Sequence, residues 1–190
     1  LFQAHRNGSL PISRSGRAKT AGYSGEDSPV SRETATNPYS KSKVGEEDEI
    51  RSLNKEFGLG AIIIRLTNNI GPRKTRNFIP NSRLFRKLGL PMPILGDPYK
   101  ERDWLSVSDS VAGIWKALHD ATPGATLHLA GRQERSLMDA MMTLIDQMRG
   151  RRFTVEEVLQ DGTVVLLKEA RPVDDSAYWL DDTQTRNQIG

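Results

Sequence analysis

The chain has 190 residues, of which 36% are apolar and 27% are charged, and its formal net charge at pH 7 is only +3. A mean hydropathy of −0.54 and the lack of any apolar run of about 18 residues argue against a membrane-spanning chain. The lysines and arginines are scattered, so no nucleic-acid-binding face is predicted. Zero cysteines exclude disulfides and thiolate metal sites, which suits a reducing cytoplasm, and the three widely spaced histidines predict no metal site.

The first clear element is a polar, charged helix predicted from Pro38 to Phe57. Proline near its start and Gly58 directly after its end are typical boundary residues of a helix. Its apolar stripe is thin, so most of its surface is expected to be polar. The next segment, Ala61–Leu66, contains three consecutive isoleucines and predicts a strand that is buried on both faces, as in a parallel sheet.

Further elements alternate along the chain. Residues 78–88 predict a helix, and Pro91–Leu95 predicts a short edge strand, because proline cannot donate a hydrogen bond to a neighbouring strand. Ser108 and Asp109 predict the cap of a helix that runs to Leu118.

The last third of the chain predicts a strand at Ala125–Ala130 and an amphipathic helix from Ser136 to Met148. Phe153–Leu159 and Thr163–Leu167 flank the turn residues Gln160-Asp161-Gly162, and this pattern predicts a β-hairpin. The alternation of strands and helices predicts an α/β fold.

Tyr39 and Lys43 lie four residues apart at the head of the first helix, and this spacing places both on one helix face. A phenol with the usual pKa of about 10 is a poor base at neutral pH. A nearby ammonium group favours the phenolate and lowers that pKa, which produces a proton-transfer group. The alternative is a solvated helix face that carries an incidental tyrosine.

Six short motifs, one of which contains this pair, follow one another in a fixed order between Thr20 and Asp109. They are Thr20-Ala-Gly-Tyr-Ser-Gly25, Pro38-Tyr-Ser-Lys-Ser-Lys43, Arg65-Leu-Thr-Asn-Asn-Ile-Gly-Pro72, Asn77-Phe-Ile-Pro80, Pro93-Ile-Leu-Gly-Asp97 and Arg102-Asp-Trp-Leu-Ser-Val-Ser-Asp109. The series resembles the extended short-chain dehydrogenase/reductase family, which contains the nucleotide-sugar epimerases and dehydratases.

The resemblance implies the C-terminal part of a Rossmann-type parallel-sheet domain, residues 1–67 and 101–130, plus a smaller α/β substrate-binding domain, residues 68–100 and 131–190. No G-x-G-x-x-G or G-x-x-G-x-x-G occurs in the sequence. We therefore expect that the glycine-rich first half of the fold, roughly 100 residues, is absent. The last residues also resemble a segment that family members follow with more chain. The intact protein is expected to be a cytoplasmic homodimer.

The resemblance also implies NAD, rather than NADP, as the cofactor. Tyr39 would take the proton of a sugar hydroxyl while hydride passes to NAD, and Lys43 would bind the nicotinamide ribose and lower the phenol pKa. Thr20 would bind the same sugar hydroxyl, and Thr67 lies where the chain passes the nicotinamide.

A nucleotide sugar is the implied substrate, and five residues match family positions that hold it: Asn68, Asn77, Arg102, Arg171 and Asp174. By the resemblance, Arg102 and Arg171 match arginines that bind the pyrophosphate. A guanidinium group suits this role because it donates two parallel hydrogen bonds to phosphate oxygens. Asp174 matches an acid that binds a ribose hydroxyl. The alternatives are an ion pair of Arg102 with Asp103 or Asp109 and a solvated loop at Asp174.

Two residues distinguish the reactions of the family. Dehydratases carry acidic residues just after the catalytic serine or threonine, whereas this chain has Ala21 and Gly22. Elimination of water lacks its expected general acid there, so epimerisation through a keto-sugar is predicted. The alternatives are a nucleotide-sugar 4,6-dehydratase, another extended short-chain reductase, or a non-catalytic fragment that binds a sugar nucleotide.

Overall fold

The computed structural model describes residues 38–168 and 180–190 in full, and the backbone alone of Tyr23–Ser24 and Ala177–Trp179. These residues form an α/β fold, which confirms the predicted fold class. The helices are α1 Pro38–Phe57, α2 Phe78–Lys87, α3 Val107–Asp120, α4 Leu137–Arg149, α5 Val155–Gln160 and α6 Thr183–Ile189. The strands are β1 Tyr23–Ser24, β2 Ile63–Leu66, β3 Asn68–Ile70, β4 Met92–Leu95, β5 Glu101–Ser106, β6 Thr126–Leu129, β7 Glu134–Ser136, β8 Val164–Leu167 and β9 Ala177–Leu180.

The described strands form three sheets. The largest has the order β1-β9-β5-β3, and β7 also pairs with β5. Two further parallel pairs are β2 with β6 and β4 with β8. The β5–β7 pair is antiparallel, whereas the other pairs among the described residues are parallel. Strand β5, from the predicted Rossmann-type part, pairs with β3, β7 and β9, which all belong to the predicted substrate-binding domain. The division of the chain into two domains stays a prediction.

Helix α1 has the predicted bounds. Pro38 is tolerated in the first turn because its missing N–H would have no partner there. Gly58 ends the helix with a φ of 64°, which glycine adopts without steric cost. Among the described residues of α1, Val44 alone is buried, so packing holds this helix to the body only weakly.

The β2–β6 pair is covered by α3 and α6. The buried residues of the cluster between them are Ala117 of α3, Leu127 of β6 and Ile189 of α6, and Ile62 and Ile64 pack against these. Gly113 permits the close approach of α3, because a Cβ there would lie 2.7 Å from Leu129 Cδ1. The predicted strand at Ala61–Leu66 is therefore present in shortened form.

The main core lies between the β4–β8 pair and helices α4 and α5. It consists of eight buried residues: Met92, Ile94, Met138, Met141, Leu144, Ile145, Val158 and Val164. Both β4 and the predicted helix at residues 78–88 are confirmed. Helix α4 begins after Ser136, whose side chain accepts a hydrogen bond from the Asp139 amide, so its predicted start is also confirmed.

The predicted hairpin at residues 153–167 is wrong. Its first arm is helix α5, which starts with a capping box: the Glu157 amide donates to Thr154 Oγ1 at 3.2 Å, and the Thr154 amide donates to Glu157 Oε2 at 2.7 Å. Its second arm, β8, pairs in parallel with β4. The turn at Asp161-Gly162 ends a helix here, and these turn residues serve a helix end as well as a hairpin.

A smaller correction concerns the start of α3. Its cap is Ser106, whose side chain accepts from the Asp109 amide at 3.0 Å, and not Ser108 or Asp109. Across the described ranges, each helix is too short or too polar to cross a lipid bilayer.

Candidate active site

Helix α1 runs antiparallel to β2, and two pairs of hydrogen bonds establish this arrangement. Near the end of α1, Asn54 Nδ2 donates to Ala61 O and the Ala61 amide donates to Asn54 Oδ1, both at 2.8 Å. About two helical turns earlier in α1, Glu47 binds Arg65, which follows Ala61 in the chain and lies within β2. The first turn of α1 therefore lies at the carboxyl end of β2, the edge where ligands bind in open α/β sheets.

The rise per residue places the predicted catalytic pair along this edge. Lys43 is about 6 Å beyond Glu47 on the helix axis, and Tyr39 is about 12 Å beyond it. A strand covers about 6 Å in two residues, so we expect Lys43 to be level with Thr67 and Tyr39 with Asn68 and Asn69 if helix and strand stay antiparallel.

Tyr39 and Lys43 share one face of α1, as predicted. The Lys43 ammonium lies 6.0 Å from the centroid of the Tyr39 ring, and the Tyr39 side chain is 71% exposed. Lys43 Nζ donates a hydrogen bond of 2.7 Å to Glu46 Oε2. This bond and the charge of Glu46 raise the pKa of Lys43 above its ordinary value, so the side chain is a cation at neutral pH.

Thr67 carries a buried hydroxyl with no hydrogen-bond partner among the described residues. The residue is 4% exposed, and its amide donates to Leu129 O at 3.2 Å. An unsatisfied buried polar group costs about 1–3 kcal/mol, and such a group is rare unless a ligand or water binds it. Its position at the carboxyl end of β2 and its free hydroxyl fit the predicted contact with NAD.

Asn68 begins β3, next to Trp104 in the register of β5. Its side-chain amide donates to Asp103 O at 3.2 Å, which orients the side chain at this edge. Trp104 Nε1 is a second buried donor with no partner among the described residues. The two residues that carry these unsatisfied atoms are the chain neighbour of Asn68, Thr67, and its partner in the strand register, Trp104.

Arg102 and Asp103 are neighbours on β5, so their side chains point to opposite faces of the sheet. Asp103 is 1% exposed. Its carboxylate accepts hydrogen bonds from the backbone amides of Gly131 and Gln133 at 2.8 and 2.9 Å. Arg102 Nη1 donates to Glu101 O at 2.7 Å. The Asp103 carboxylate therefore fastens a turn, and the role of Arg102 toward pyrophosphate stays a prediction.

Asn77 has a structural role in the described residues. It caps α2 with a φ of 136°, and its side-chain oxygen accepts from the Phe78 amide at 2.8 Å. Its predicted contact with substrate stays a prediction. Thr20, Arg171 and Asp174 lie outside the described residues, as do Ala21 and Gly22.

The sequence interpretation missed a polar network between α1 and the β2–β6 pair, formed by Glu47, Arg65 and His128. Its sequence signal is the continued four-residue spacing of Tyr39, Lys43 and Glu47, which places all three along one ridge of a helix. Arg65 lies on β2 and His128 on β6. Both are distant from Glu47 in the chain, so no local sequence pattern predicts these contacts.

One surface feature of the described residues lies apart from this edge. An open depression of about 430 Å³ is lined by Arg151, Phe153, Glu157, Gln160 and Asp161, and none of these is a predicted site residue. The described ranges contain no group of three or more His, Cys, Asp or Glu side chains suited to a metal ion.

Comparison with known proteins places these features in context. A family model described as GDP-mannose 4,6 dehydratase matches residues 16–190. The dTDP-glucose 4,6-dehydratase of Xanthomonas campestris pv. campestris (strain B100) is 28% identical over 175 residues, which are 90% of this chain and 49% of that protein. The chain thus spans about half the length of the curated relatives it matches.

Two solved structures share the fold. A double mutant of the dTDP-glucose 4,6-dehydratase DesIV from Streptomyces venezuelae, solved with NAD bound, has a TM-score of 0.78 and 26% identity over 90% of this chain and 49% of that one. The UDP-glucuronic acid 4-epimerase of Bacillus cereus, also solved with NAD, has a TM-score of 0.72 and 20% identity over 89% of this chain and 50% of that one. These structures confirm the Rossmann-type fold, and both hold the predicted cofactor.

Proposed function

The chain belongs to the nucleotide-sugar epimerase and dehydratase family of the extended short-chain dehydrogenases/reductases, and we propose that the whole protein oxidises a nucleotide sugar reversibly with NAD. The observation that carries this proposal is the Tyr39–Lys43 pair on one face of α1, with the Lys43 ammonium 6.0 Å from the centroid of the Tyr39 ring. The first turn of α1 lies toward the carboxyl end of β2, and Thr67, the next residue after that strand, has a buried hydroxyl without a partner among the described residues. An acid/base pair and a free polar group near one sheet edge suit a redox reaction at a sugar hydroxyl.

The residues at this edge have separate tasks. The Tyr39 oxygen takes the proton of the sugar hydroxyl and later returns it. Lys43 stabilises the phenolate by its positive charge and, with the Thr67 hydroxyl, binds the nicotinamide riboside. Thr20 holds the sugar hydroxyl next to Tyr39. NAD, when bound, accepts the hydride that the sugar carbon loses.

Substrate binding is assigned to the second group of predicted residues. Arg102 and Arg171 bind the pyrophosphate through charge-assisted hydrogen bonds. Asn68, Asn77 and Asp174 bind the sugar and the ribose. Asn68 supports this assignment best, because its side chain is held at the edge by Asp103 O.

Epimerisation is the proposed overall reaction. Ala21 and Gly22 offer no acid for the removal of water, whereas inversion needs only rotation of the keto-sugar and return of the hydride. The second candidate is a 4,6-dehydratase. The sequence identities of 28% and 26% between this chain and two dTDP-glucose 4,6-dehydratases favour it.

Product mass distinguishes these reactions. The whole protein is incubated with NAD and either dTDP-glucose or UDP-glucuronic acid, and the products are examined by mass spectrometry and NMR. Epimerisation yields a product of unchanged mass with one inverted carbon. A product lighter by one water would overturn epimerisation and establish the dehydratase.

A different class of function is a non-catalytic module that binds a sugar nucleotide. Calorimetry with the same nucleotide sugars decides the matter: binding by the whole protein without any turnover in the presence of NAD would support the module and exclude the enzyme.

A further inference from the structure

A bidentate ion pair connects the catalytic helix to the sheet. Arg65 Nε donates to Glu47 Oε1 at 2.8 Å, and Arg65 Nη2 donates to Glu47 Oε2 at 2.7 Å. The two side chains are 13% and 16% exposed. Two parallel charge-assisted hydrogen bonds restrict both the distance and the angle between the groups, so this contact orients α1 as well as attaching it.

The ion pair is itself held from behind by a buried histidine. Arg65 Nη1 lies 3.2 Å from His128 Nε2, and His128 Nδ1 lies 2.8 Å from Asp181 O. His128 is 0% exposed. Guanidinium only donates and a carbonyl only accepts, so His128 accepts at Nε2 and donates at Nδ1. This neutral tautomer links β6 and the segment before α6 to Arg65 and fixes the plane of its guanidinium group.

The position of Glu47 on α1 relates this network to the candidate active site. Tyr39, Lys43 and Glu47 follow one another at four-residue intervals, so they form one ridge with about 6 Å between neighbours. Val44 is the lone buried residue among the described residues of α1. The Asn54–Ala61 hydrogen bonds hold the opposite end of the helix. Among the contacts of the described residues, Glu47 thus attaches α1 to the sheet on the side of the catalytic turn.

We propose that Glu47 and Arg65, supported by His128, are positioning residues that set the distance of Tyr39 and Lys43 from the carboxyl end of β2. The proposal rests on the proposed function, in which Tyr39 and Lys43 are catalytic. Since catalysis is sensitive to displacements of about 1 Å, release of this attachment lowers turnover without removing any group that touches substrate.

The ionisation of Glu47 agrees with this role. The hydrogen bond from Arg65 holds the pKa of Glu47 below its ordinary value, against the opposing effect of burial, and Arg51 contributes a smaller effect. Arg51 Nη2 donates to Glu47 Oε2 at 2.7 Å from the more exposed side. Arg51 belongs to α1 itself, so its contact cannot attach the helix to the sheet, and this makes it a matched control.

Hydrogen exchange of the whole protein tests the position of the helix without any need for activity. In Glu47→Gln we expect the amides of residues 42–47 to exchange at least tenfold faster, while those of residues 54–57 and of β2 keep their rates. Arg51→Gln should leave both groups unchanged. Equal acceleration throughout α1 and β2, or no acceleration, would overturn the proposal, because the pair would then support global stability or nothing.

Kinetics supply the second readout. In the whole protein, Glu47→Gln and Arg65→Gln are expected to lower kcat at least tenfold with KM within about twofold, and Arg65→Lys should restore part of the loss. A rise in KM with unchanged kcat would overturn the positioning role. If Tyr39→Phe keeps full turnover, the proposed function fails, whereas the exchange result still reports whether Glu47 and Arg65 hold the helix.

Discussion

At the scale of single residues, the candidate site depends on groups whose polar atoms are not satisfied by the described part of the chain. Thr67 Oγ1 and Trp104 Nε1 are buried and have no partner there, while Tyr39 presents an exposed ring beside the Lys43 ammonium. Such groups have a free-energy cost in the folded chain that a bound ligand can remove.

The first prediction concerns proton transfer. In the whole protein, Tyr39→Phe is expected to lower kcat by a factor of about 10²–10⁴, the range for removal of a general acid/base. Affinity for the nucleotide sugar should change little, because the ring remains. Steady-state kinetics and calorimetry on the same variant check both quantities, with Tyr99→Phe, a change at another exposed tyrosine, as the matched control. Near-normal turnover would remove Tyr39 from the mechanism.

The second prediction concerns the pyrophosphate. Arg102→Ala is expected to weaken nucleotide-sugar binding by about 1.5–3 kcal/mol, the range for hydrogen bonds to charged groups, and to leave NAD affinity unchanged. Isothermal titration with each ligand measures the two affinities. Arg83→Ala, on an exposed position of α2, should change neither. An equal loss of both ligands would instead assign Arg102 a structural ion pair.

At the scale of elements, α1 depends on polar contacts, because Val44 is its one buried residue among those described. Its bounds follow from local residues, but its attachment follows from Glu47, which binds Arg65 in β2, and from Asn54, which binds Ala61 two residues before that strand. Packing through Val44 alone would leave such a helix free to rotate, whereas directional hydrogen bonds restrict its rotation.

The third prediction gives this attachment a pH dependence. The folded state lowers the pKa of Glu47 below its ordinary value of 4.5, so the ion pair stabilises the fold fully above that pH and is lost as pH falls through the lowered pKa. Glu47→Gln is expected to reduce the free energy of unfolding by about 1.5–3 kcal/mol at pH 7. The difference from wild type should shrink progressively below about pH 4.5.

Urea denaturation of the whole protein at several pH values measures this difference. Asp48→Asn is the matched control, since Asp48 is 48% exposed and its ion pair with Arg51 is 3.7 Å long; it should change stability by no more than about 0.5 kcal/mol. A difference that stays constant from pH 7 to pH 3 would show that Glu47 acts through its shape and not through its charge.

At the scale of the whole molecule, the described surface contains groups that folded proteins usually cover. Strand β2 has one strand neighbour, β6, among the described residues. One face of α3 presents four apolar side chains at helical spacing, Val111, Ile114, Trp115 and Leu118, which are 62%, 42%, 63% and 68% exposed. Contiguous apolar surface of this kind favours association.

The fourth prediction concerns these 190 residues expressed alone. They contain no glycine-rich turn for the pyrophosphate of NAD, so equilibrium dialysis is expected to show negligible NAD binding, and assays should show no turnover. A size measurement in solution should show aggregation or association with another chain. A stable monomer with micromolar NAD affinity would show that another part of this sequence holds the cofactor. The homodimer and the cytoplasmic location of the intact protein also remain predictions.

Several features could be predicted because the determining residues are neighbours in the chain. Proline at the first position and glycine after the last one define α1, and the spacing of Tyr39 and Lys43 places them on one face of it. The fold class and the family likewise follow from short motifs in order. Prediction was poorer for residues 153–167, where Asp161-Gly162 is compatible with two structures.

Tertiary structure decided what lies beside each local element. The hairpin prediction was wrong because Val158 and Val164 are buried in one core with β4 and α4, and that long-range packing favours a helix followed by a parallel strand. The unsatisfied Thr67 hydroxyl and the Glu47–Arg65–His128 network could not be read from spacing either. By itself, the sequence determined the chemistry available at each position through local propensity and motif. Contacts between distant segments decided which of those polar groups have hydrogen-bond partners, because burial and such partners exist only after the strands and helices have packed.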